Sequence, residues 1–390
     1  MLRRDGTFGT VSDHRLPETL RRRSRCCPRL SVNRDQWQAR IESGMGTPAH
    51  DYSVSSLRPA LTRRLLGRAT ISGSITLPAV PAMIDDYVTM CDTMFSGFGV
   101  SSNSDQLREL RSVLEGQLAI AFEASARSEI IISYESPLGH TVSYHVSARW
   151  SSLEAAYDNW VSTREPPLFG KEPDAMVMQL AASANDAAGF PVLDLGAGTG
   201  RNALPLARRG HPVDAVELAP MFTKVIRAEA ALESLDVRVI ERDVFDAGDV
   251  LRRDYGMVVL SEVASDFRST DELRRVFALA SQHLAPGGLL VLNTFVARDG
   301  YAPDAAAREL GQQCYSGMFT RPELADESAA FPLALEADVS VLEFEKTHMP
   351  ADAWPPTSWY KRWAGGLDVF EVEHGVSPIE LRWFVYRKTD

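Results

Sequence analysis

The sequence predicts an α/β protein built on a doubly wound sheet, and three observations support this fold class. Short apolar runs alternate with helical segments between residues 192 and 295, as in a sheet whose strands are covered on both faces. The first run continues into three glycines at alternate positions, Gly196, Gly198 and Gly200, which indicates a tight strand-to-helix turn. Carboxylates stand at the ends of several runs, where ligands of such sheets bind. We therefore expect a single site at that edge.

The elements follow one another in a regular order. The strand 192–195 leads through the glycine turn into a helix over 202–209, which Gly210 ends. A helix over 272–284 then meets Pro286-Gly287-Gly288, a helix stop followed by a turn. The alternating pattern at 339–345 predicts a sixth strand. The other predicted strands are 212–217, 237–240, 256–260, 289–295 and, as the seventh, 379–387.

The spacing of the glycine turn separates two cofactor classes. A dinucleotide-binding turn has a third glycine where this chain has Arg201. The G-x-G-x-G pattern, with Asp194 two residues ahead of it, instead resembles motif I of the class I S-adenosylmethionine-dependent methyltransferases. The run 193–204, continued by Val213-Asp214-Ala215, is similar to the tellurite-resistance-type branch of that superfamily, in which Gly-Arg-Asn follows the turn. The resemblance implies a Rossmann-like methyltransferase sheet with an antiparallel last strand, and S-adenosylmethionine as cofactor.

Cofactor-binding residues are expected at the strand ends. Glu217 closes the second strand, where a carboxylate can accept hydrogen bonds from two neighbouring ribose hydroxyls. The resemblance implies that Asp243 accepts from the adenine amino group and that Val244 packs on the ring. The full expected cofactor set is Asp194, Gly196, Gly198, Gly200, Glu217, Asp243, Val244, Ser261 and Glu262.

An aromatic-rich segment lies between the sixth and seventh predicted strands and allows two interpretations. Trp359 and Trp363 stand four residues apart and share one helical face. Together with Trp354 and Tyr360 they either pack this helix on the sheet or wall the substrate pocket, where aromatic faces favour soft or cationic groups. The sequence does not choose between the two.

A general base is needed only for some acceptors. In the in-line displacement that the resemblance implies, an oxygen or protonated nitrogen acceptor requires a base, whereas a thioether or thiolate does not. Candidate bases near the predicted strand ends are Tyr360, Glu262, His348, His374 and Asp266. None of them is singled out by its pattern, so the catalytic residue is left unassigned.

Three regions are expected along the chain. Residues 1–68 carry 14 arginines and 6 acidic residues, a pattern that predicts a disordered basic extension. Residues 69–149 predict an accessory domain of helices at 82–95 and 104–124 and a hairpin at 130–146, which covers the acceptor site or makes a homodimer contact. Residues 150–390 predict the catalytic domain, entered through a helix at 153–164 whose Arg164 either reaches the cofactor carboxylate or pairs on the surface.

Composition excludes several classes of function. The chain carries a net charge of −11, so that residues 69–390 carry −19 and repel nucleic acid. The four cysteines lack metal-ligand spacing, and no apolar run approaches a membrane span. We expect a cytoplasmic enzyme that methylates a small-molecule acceptor, without a metal, nucleic-acid or membrane partner. A chalcogen acceptor (S, Se or Te) and a non-catalytic S-adenosylmethionine-binding regulator or scaffold are the alternatives.

Overall fold

The computed structural model describes residues 54–66, 68–137, 141–150, 170–372 and 376–389. The predicted helix 153–164 with Arg164, the candidate base His374 and residues 1–53 lie outside the described residues. The chain divides into two compact units. One contains residues 90–106 and 131–147 with the residues up to Ile75, and the other contains residues 76–89, 107–130 and everything from Ala148 onward.

The N-terminal part of the described chain combines helices with a small sheet. Its strands β1, β2 and β3 form a three-stranded sheet in that order. The smaller unit has an aromatic core, in which Phe95 stacks on Tyr144 and meets Tyr134 edge-on, both at 6.2 Å between ring centroids. The elements are α1 (Val54–Leu66), β1 (Thr70–Pro78), α2 (Ile84–Gly97), α3 (Ser104–Ala124), β2 (Glu129–Pro137) and β3 (Ser143–Arg149).

Two features of this part differ from the sequence-based expectation. Residues 54–66 form a helix inside the segment that was expected to be disordered, and its leucines at 57, 61 and 65 follow the four-residue spacing of a helix face. Residues 107–130 cluster with the larger unit instead of completing a separate 69–149 domain. Periodicity shows that a helix has an apolar face, but it does not show which partner covers that face.

The larger unit contains the predicted doubly wound sheet. Its strand order is β10-β11-β8-β7-β4-β5-β6, with β9 paired to β8 outside this path. The pairs among β6, β5, β4, β7 and β8 are parallel, whereas β11 is antiparallel to both β8 and β10. The strands are β4 (Val192–Leu195), β5 (Val213–Glu217), β6 (Val237–Glu241), β7 (Tyr255–Leu260), β8 (Leu284–Ala297), β9 (Met318–Phe319), β10 (Leu333–Ser340) and β11 (Ile379–Lys388). The predicted doubly wound sheet and its antiparallel last strand are confirmed, whereas the sheet of the described chain has eight strands, with β9, instead of the seven predicted.

Helices connect these strands. The crossover helix after the fourth parallel strand begins with a capping box, in which Ser269 and Glu272 satisfy each other's backbone N–H groups. The helices are α4 (Ala175–Ala181), α5 (Ala203–Arg208), α6 (Pro220–Glu233), α7 (Thr270–His283), α8 (Ala305–Gln313), α9 (Arg321–Ser328), α10 (Val341–His348) and α11 (Tyr360–Ala364). None of the helices in the described part of the chain is long and apolar enough to cross a membrane.

The sixth strand was predicted in the wrong place. The structure has β10 at Leu333–Ser340, and Val341–His348 form α10 where the alternating pattern predicted strand 339–345. Ser340 caps this helix by accepting a hydrogen bond from the Glu343 N–H. Val341 and Glu345 are both buried, four residues apart on one helix face. The apolar residues of this segment fit both the two-residue repeat of a strand and the four-residue repeat of a helix. The Ser340 cap favours the helix.

The sheet is buried on both faces because its central strands are apolar throughout. Every residue of β4, β5 and β7 is buried. Alternate residues belong to two clusters, with Leu193 and Val258 on one face and Val192 and Met257 on the other. This burial holds the strand ends, and the residues that follow them, in fixed positions.

Phe277 provides a test of this core. Its side chain on α7 is fully buried and meets Tyr386 edge-on at 5.1 Å. Phe277→Ala should lower the free energy of unfolding by about 3 to 5 kcal/mol in urea titration because it leaves a cavity. Leu232→Ala is the control, because Leu232 is 80% exposed on α6. Equal effects of the two substitutions would contradict the placement of the core.

Candidate functional site

A cavity of about 810 Å³ lies at the carboxyl ends of β4, β5, β6 and β7, entirely within the larger unit. This volume falls in the range of about 300 to 1,000 Å³ that is usual for small-molecule sites. Its lining extends along the chain from Asp194 at the end of β4 to Asp368 beyond α11.

The glycine turn forms one wall of the cavity. Gly196 and Gly198 have φ values of +74° and +54°, in the left-handed region that favours glycine. A Cβ on Gly196 would lie 2.3 Å from Val263 Cγ2, so no side chain fits there. The turn is held from the neighbouring strand, because the N–H groups of Gly196 and Ala197 both donate to the Val216 carbonyl. Backbone is therefore the surface that a ligand meets on this side.

Glu217, at the end of β5, holds this turn in place by a hydrogen bond. Its Oε2 accepts from the Gly198 N–H at 2.8 Å, and its Oε1 accepts from the Ala219 N–H at 2.7 Å. The side chain is 7% exposed and lines the cavity. Burial raises its pKa, and the backbone donors act in the opposite direction. Since each carboxylate oxygen can accept more than one hydrogen bond, Glu217 retains capacity for ligand hydroxyls.

Asp194 is a buried carboxylate whose hydrogen bonding is incomplete. It is 2% exposed, and its Oδ2 has no hydrogen-bond partner among the described residues. Burial and the nearby charge of Asp174 raise its pKa from 3.8 to about 7, while Arg201 acts in the opposite direction. A buried acceptor without a partner at the wall of a cavity is suited to a ligand donor.

The residues after β6 form a small apolar shelf. The side chain of Asp243 caps the turn by accepting from the Phe245 N–H at 2.8 Å, and Val244 and Phe245 line the cavity. The guanidinium of Arg275 lies 3.9 Å from the centre of the Phe245 ring. This arrangement offers flat apolar faces beside one exposed carboxylate.

A strained turn follows β7. Glu262 has φ +61°, although it is not glycine, and its N–H donates to Asn293 Oδ1 at 2.6 Å. Asn293 Nδ2 also donates to Ser261 Oγ, so β8 fixes both residues of the turn. Burial raises the pKa of Glu262, while the adjacent Arg201 lowers it. Backbone strain of this kind persists only where the surroundings enforce it, which is common at functional sites.

The guanidinium of Arg201 links three elements at the floor of the cavity. Its Nη1 donates to Asp174 Oδ1 and its Nη2 donates to Glu262 Oε1 at 2.9 Å. Asp174, at the start of α4, also accepts from Asn202 Nδ2 at 2.8 Å and from Ser261 Oγ at 2.6 Å. The side chains of Arg201 and Asp174 are 9% and 2% exposed. The network joins the glycine turn, α4 and the turn after β7.

Aromatic side chains form the far end of the cavity. Trp359 and Trp363 both line it and meet edge-on at 5.7 Å between ring centroids. Trp363 Nε1 donates to the Tyr315 carbonyl at 3.0 Å, and Tyr315 also lines the cavity. Asp266 lies at the same end, paired with Arg127 at 2.7 Å. These two tryptophans therefore both line the cavity and pack against each other.

Other predicted site residues lie away from the cavity surface. Gly200 belongs to the turn, where a Cβ would meet Leu204 at 3.0 Å, but it does not line the cavity. Tyr360 is 2% exposed, and burial among acidic groups raises its pKa well above 10, so its phenol keeps its proton at neutral pH. Trp354 packs edge-on against Tyr360. His348 is exposed on α10, stacked on Phe344, and does not line the cavity.

Sequence reasoning missed two residues that organise the site. Asp174 lies 27 residues before Arg201, and the two positions carry no shared pattern. Arg127 lies in the chain between α3 and β2, pairs with Asp266 and places its guanidinium 3.7 Å from the centre of the Tyr315 ring. An acid just before a helix was the only local signal for Asp174, and Arg127 had none.

Comparison with protein families identifies the segment that builds this site. Residues 192–288 match the family model described as "Methyltransferase domain", whose members use S-adenosylmethionine. This segment is a methyltransferase domain. It spans β4 to the beginning of β8 and includes the glycine turn, Glu217, Asp243 and Glu262. The protein is therefore a methyltransferase enzyme with S-adenosylmethionine as its cofactor.

Two solved structures illustrate the similarity to known proteins. The geranyl diphosphate C-methyltransferase of Streptomyces coelicolor A3(2) is 16% identical, with a TM-score of 0.44, covering 55% of this chain and 79% of that one. A putative sarcosine dimethylglycine methyltransferase from Galdieria sulphuraria is 14% identical, with a TM-score of 0.43, covering 61% of this chain and 98% of that one. A comparison with curated proteins gave no match.

The methyltransferase domain suits its cofactor in three respects. The left-handed glycine turn leaves no room for side chains, so backbone can approach an elongated ligand. Glu217 has lone pairs available for ribose hydroxyls, and Asp194 Oδ2 lacks a donor. The carboxylates also suit a ligand that carries a sulfonium and an ammonium group.

Substitution of Glu217 tests the cofactor end. Glu217→Ala should weaken S-adenosylhomocysteine binding by about 10- to 150-fold in calorimetry, because hydrogen bonds to a charged acceptor are lost. Glu233→Ala is the matched control, since Glu233 pairs only with Arg208 on the surface of α6. Unchanged affinity of the Glu217 variant, with the fold intact, would remove Glu217 from the site.

Asp194 should make stability depend on pH. Because its pKa is raised on folding, the folded state binds more protons than the unfolded chain between about pH 4 and 7, and stability falls as pH rises through this window. Asp194→Asn cannot titrate, so the unfolding free energy of this variant should change less across the window in urea titrations.

Asp254→Asn is the control for this effect. Asp254 pairs with Arg252 at the surface, which lowers its pKa, so its titration lies below the window. If wild type and both variants showed the same dependence between about pH 4 and 7, the proton would not reside on Asp194.

Proposed function

We propose that this enzyme transfers the methyl group of S-adenosylmethionine to a small-molecule acceptor bound at the aromatic end of the cavity. One observation carries the proposal: a single cavity is lined both by the glycine turn with Glu217 and by Trp359, Trp363 and Tyr315. Its volume of about 810 Å³ is in the upper part of the range for small ligands, which favours two small molecules side by side.

The work of the protein is chiefly alignment. When bound, S-adenosylmethionine would supply a methyl group attached to a sulfonium. A lone pair of the acceptor would form a bond to the methyl carbon while the carbon–sulfur bond breaks, and the electron pair of that bond would stay on sulfur. The glycine turn and Glu217 hold the cofactor, whereas the aromatic wall holds the acceptor. Holding two reactants in line removes most of the entropic part of the barrier.

Glu262 is the favoured proton acceptor for an oxygen or nitrogen substrate. Of the candidate bases in the described residues, Glu262 and Asp266 line the cavity, whereas Tyr360 and His348 do not. Asp266 is occupied by its ion pair with Arg127. Glu262 uses Oε1 for Arg201, which leaves Oε2 for an acceptor, and its raised pKa suits a base working near neutral pH.

A chalcogen acceptor, as in the tellurite-resistance-type branch, is the alternative. A thiolate, selenide or telluride needs no base, and the polarisable aromatic wall suits such an atom. The two proposals differ in whether Glu262 matters. Glu262→Gln should reduce turnover of a nitrogen or oxygen substrate more strongly than turnover of a chalcogen substrate.

The decisive experiment uses methyl-deuterated S-adenosylmethionine. The purified protein is incubated with it and with a small-molecule extract of the cells that make the protein, and labelled species are identified by mass spectrometry. We expect a labelled small molecule whose fragmentation shows the methylated atom, and less label with the Glu217→Ala variant at the same cofactor concentration. Cofactor binding without any labelled product would contradict the proposal and favour a non-catalytic regulator or scaffold.

A further inference from the structure

The cavity lining is strongly acidic. Seven carboxylates and two guanidinium groups face it, with no lysine or histidine among the lining residues. Three of these acids, Asp266, Glu272 and Asp368, lie outside the expected cofactor-binding set. The cavity therefore attracts positive charge and repels negative charge.

Neither cation of the lining is free at the aromatic end of the cavity. Arg201 donates to both Asp174 and Glu262. Arg275 lies over the Phe245 ring, beside Asp243 and Val244, at the end expected to hold adenine. Two further arginines, Arg127 and Arg362, pair with Asp266 and Asp368 without lining the cavity.

Carboxylates predominate around the cavity, although three of them pair with arginines. The seven lining carboxylates exceed the guanidinium groups even when Arg127 and Arg362 are included. S-adenosylmethionine itself carries one net positive charge, from a sulfonium, an ammonium and a carboxylate, so it offsets a single carboxylate. An acceptor with a phosphate or carboxylate group at the aromatic end would meet repulsion, because Arg127, Arg201 and Arg362 are already paired with acids there.

The aromatic wall adds a second, independent preference. Trp359 and Trp363 present rings to the cavity, and aromatic faces attract cations electrostatically. Tyr315 already binds a cation in this way, because Arg127 lies 3.7 Å from its ring centre. Tyr315 is also held at φ +52°, so its placement at the wall is enforced by its surroundings.

We infer that the acceptor end of the cavity, formed by Trp359, Trp363, Tyr315 and Asp368, binds a small organic cation of the amine class. This inference rests on the proposed function, which it narrows to amine acceptors. The ring faces and carboxylates hold the positive group, and Glu262 Oε2 takes the proton that an ammonium group must lose before its nitrogen lone pair is free.

Three molecules of one shape and different charge test the inference. Choline, its neutral carbon isostere 3,3-dimethylbutan-1-ol and the anion 3,3-dimethylbutanoate are titrated by calorimetry into protein saturated with S-adenosylhomocysteine. Choline should bind about 2- to 30-fold more tightly than the neutral isostere, and the anion should bind most weakly.

Matched variants assign the effect to the aromatic wall. Trp359→Leu keeps an apolar side chain but removes the ring, so it should abolish the preference for choline and leave S-adenosylhomocysteine affinity unchanged. Trp150→Leu is the control, because Trp150 is 56% exposed and does not line the cavity. Asp368→Asn should weaken choline binding without affecting the neutral isostere.

The outcomes separate the inference from the function on which it rests. Failure of S-adenosylhomocysteine to bind would overturn the proposed function. Binding of S-adenosylhomocysteine with equal affinity for choline and its isostere, tighter binding of the anion, or no binding of any of the three would overturn the cation inference and leave methyl transfer standing. A preference for choline that survives Trp359→Leu would overturn the assignment to the aromatic wall.

Discussion

The site depends on one buried ionic contact, the guanidinium of Arg201 between Asp174 and Glu262. Arg201 belongs to the glycine turn, Asp174 to the start of α4 and Glu262 to the turn after β7, so this contact joins three walls of the cavity. A buried charge is tolerated only when it is paired and hydrogen-bonded, and loss of one partner leaves the other uncompensated. This explains why an arginine follows the last glycine, at the position where a dinucleotide-binding turn has glycine.

The ion pairs of Arg201 do not neutralise the other buried carboxylates near Asp174. Asp194 and Glu345 are also buried near Asp174, and the pKa of each is raised by burial first and by the charge of Asp174 second. Glu345 is stabilised by Trp383 and by two backbone N–H groups of α4, whereas Asp194 faces the cavity with one oxygen lacking a partner. A cationic ligand would lower the free-energy cost of an ionised Asp194 carboxylate. The positive charge of the cofactor therefore complements the negative charge of the site.

The parallel strands and the residues at their ends could be predicted from the sequence, because a parallel sheet needs continuous apolar runs and brings all their carboxyl ends to one edge. Gly196, Glu217 and Glu262 therefore lie together, as expected. The boundary near Ser340 could not be predicted, since residues 339–345 satisfy both a strand and a helix pattern. Asp174 and Arg127 could not be predicted either, because their roles arise from contacts across 27 and 139 residues of chain.

Residues with a strained backbone lie at the same cavity as the buried charged residues. Of the three non-glycine residues with positive φ in the described chain, Glu262 and Tyr315 line the cavity. Glu262 is held by Asn293 and Arg201, and Tyr315 is held by Trp363 and Arg127. Strained conformations are retained where neighbouring groups over-determine them. The turn that carries the proposed base and the wall that receives the acceptor are thus each fixed by two side chains, one of them an arginine, so both reactants meet a rigid surface.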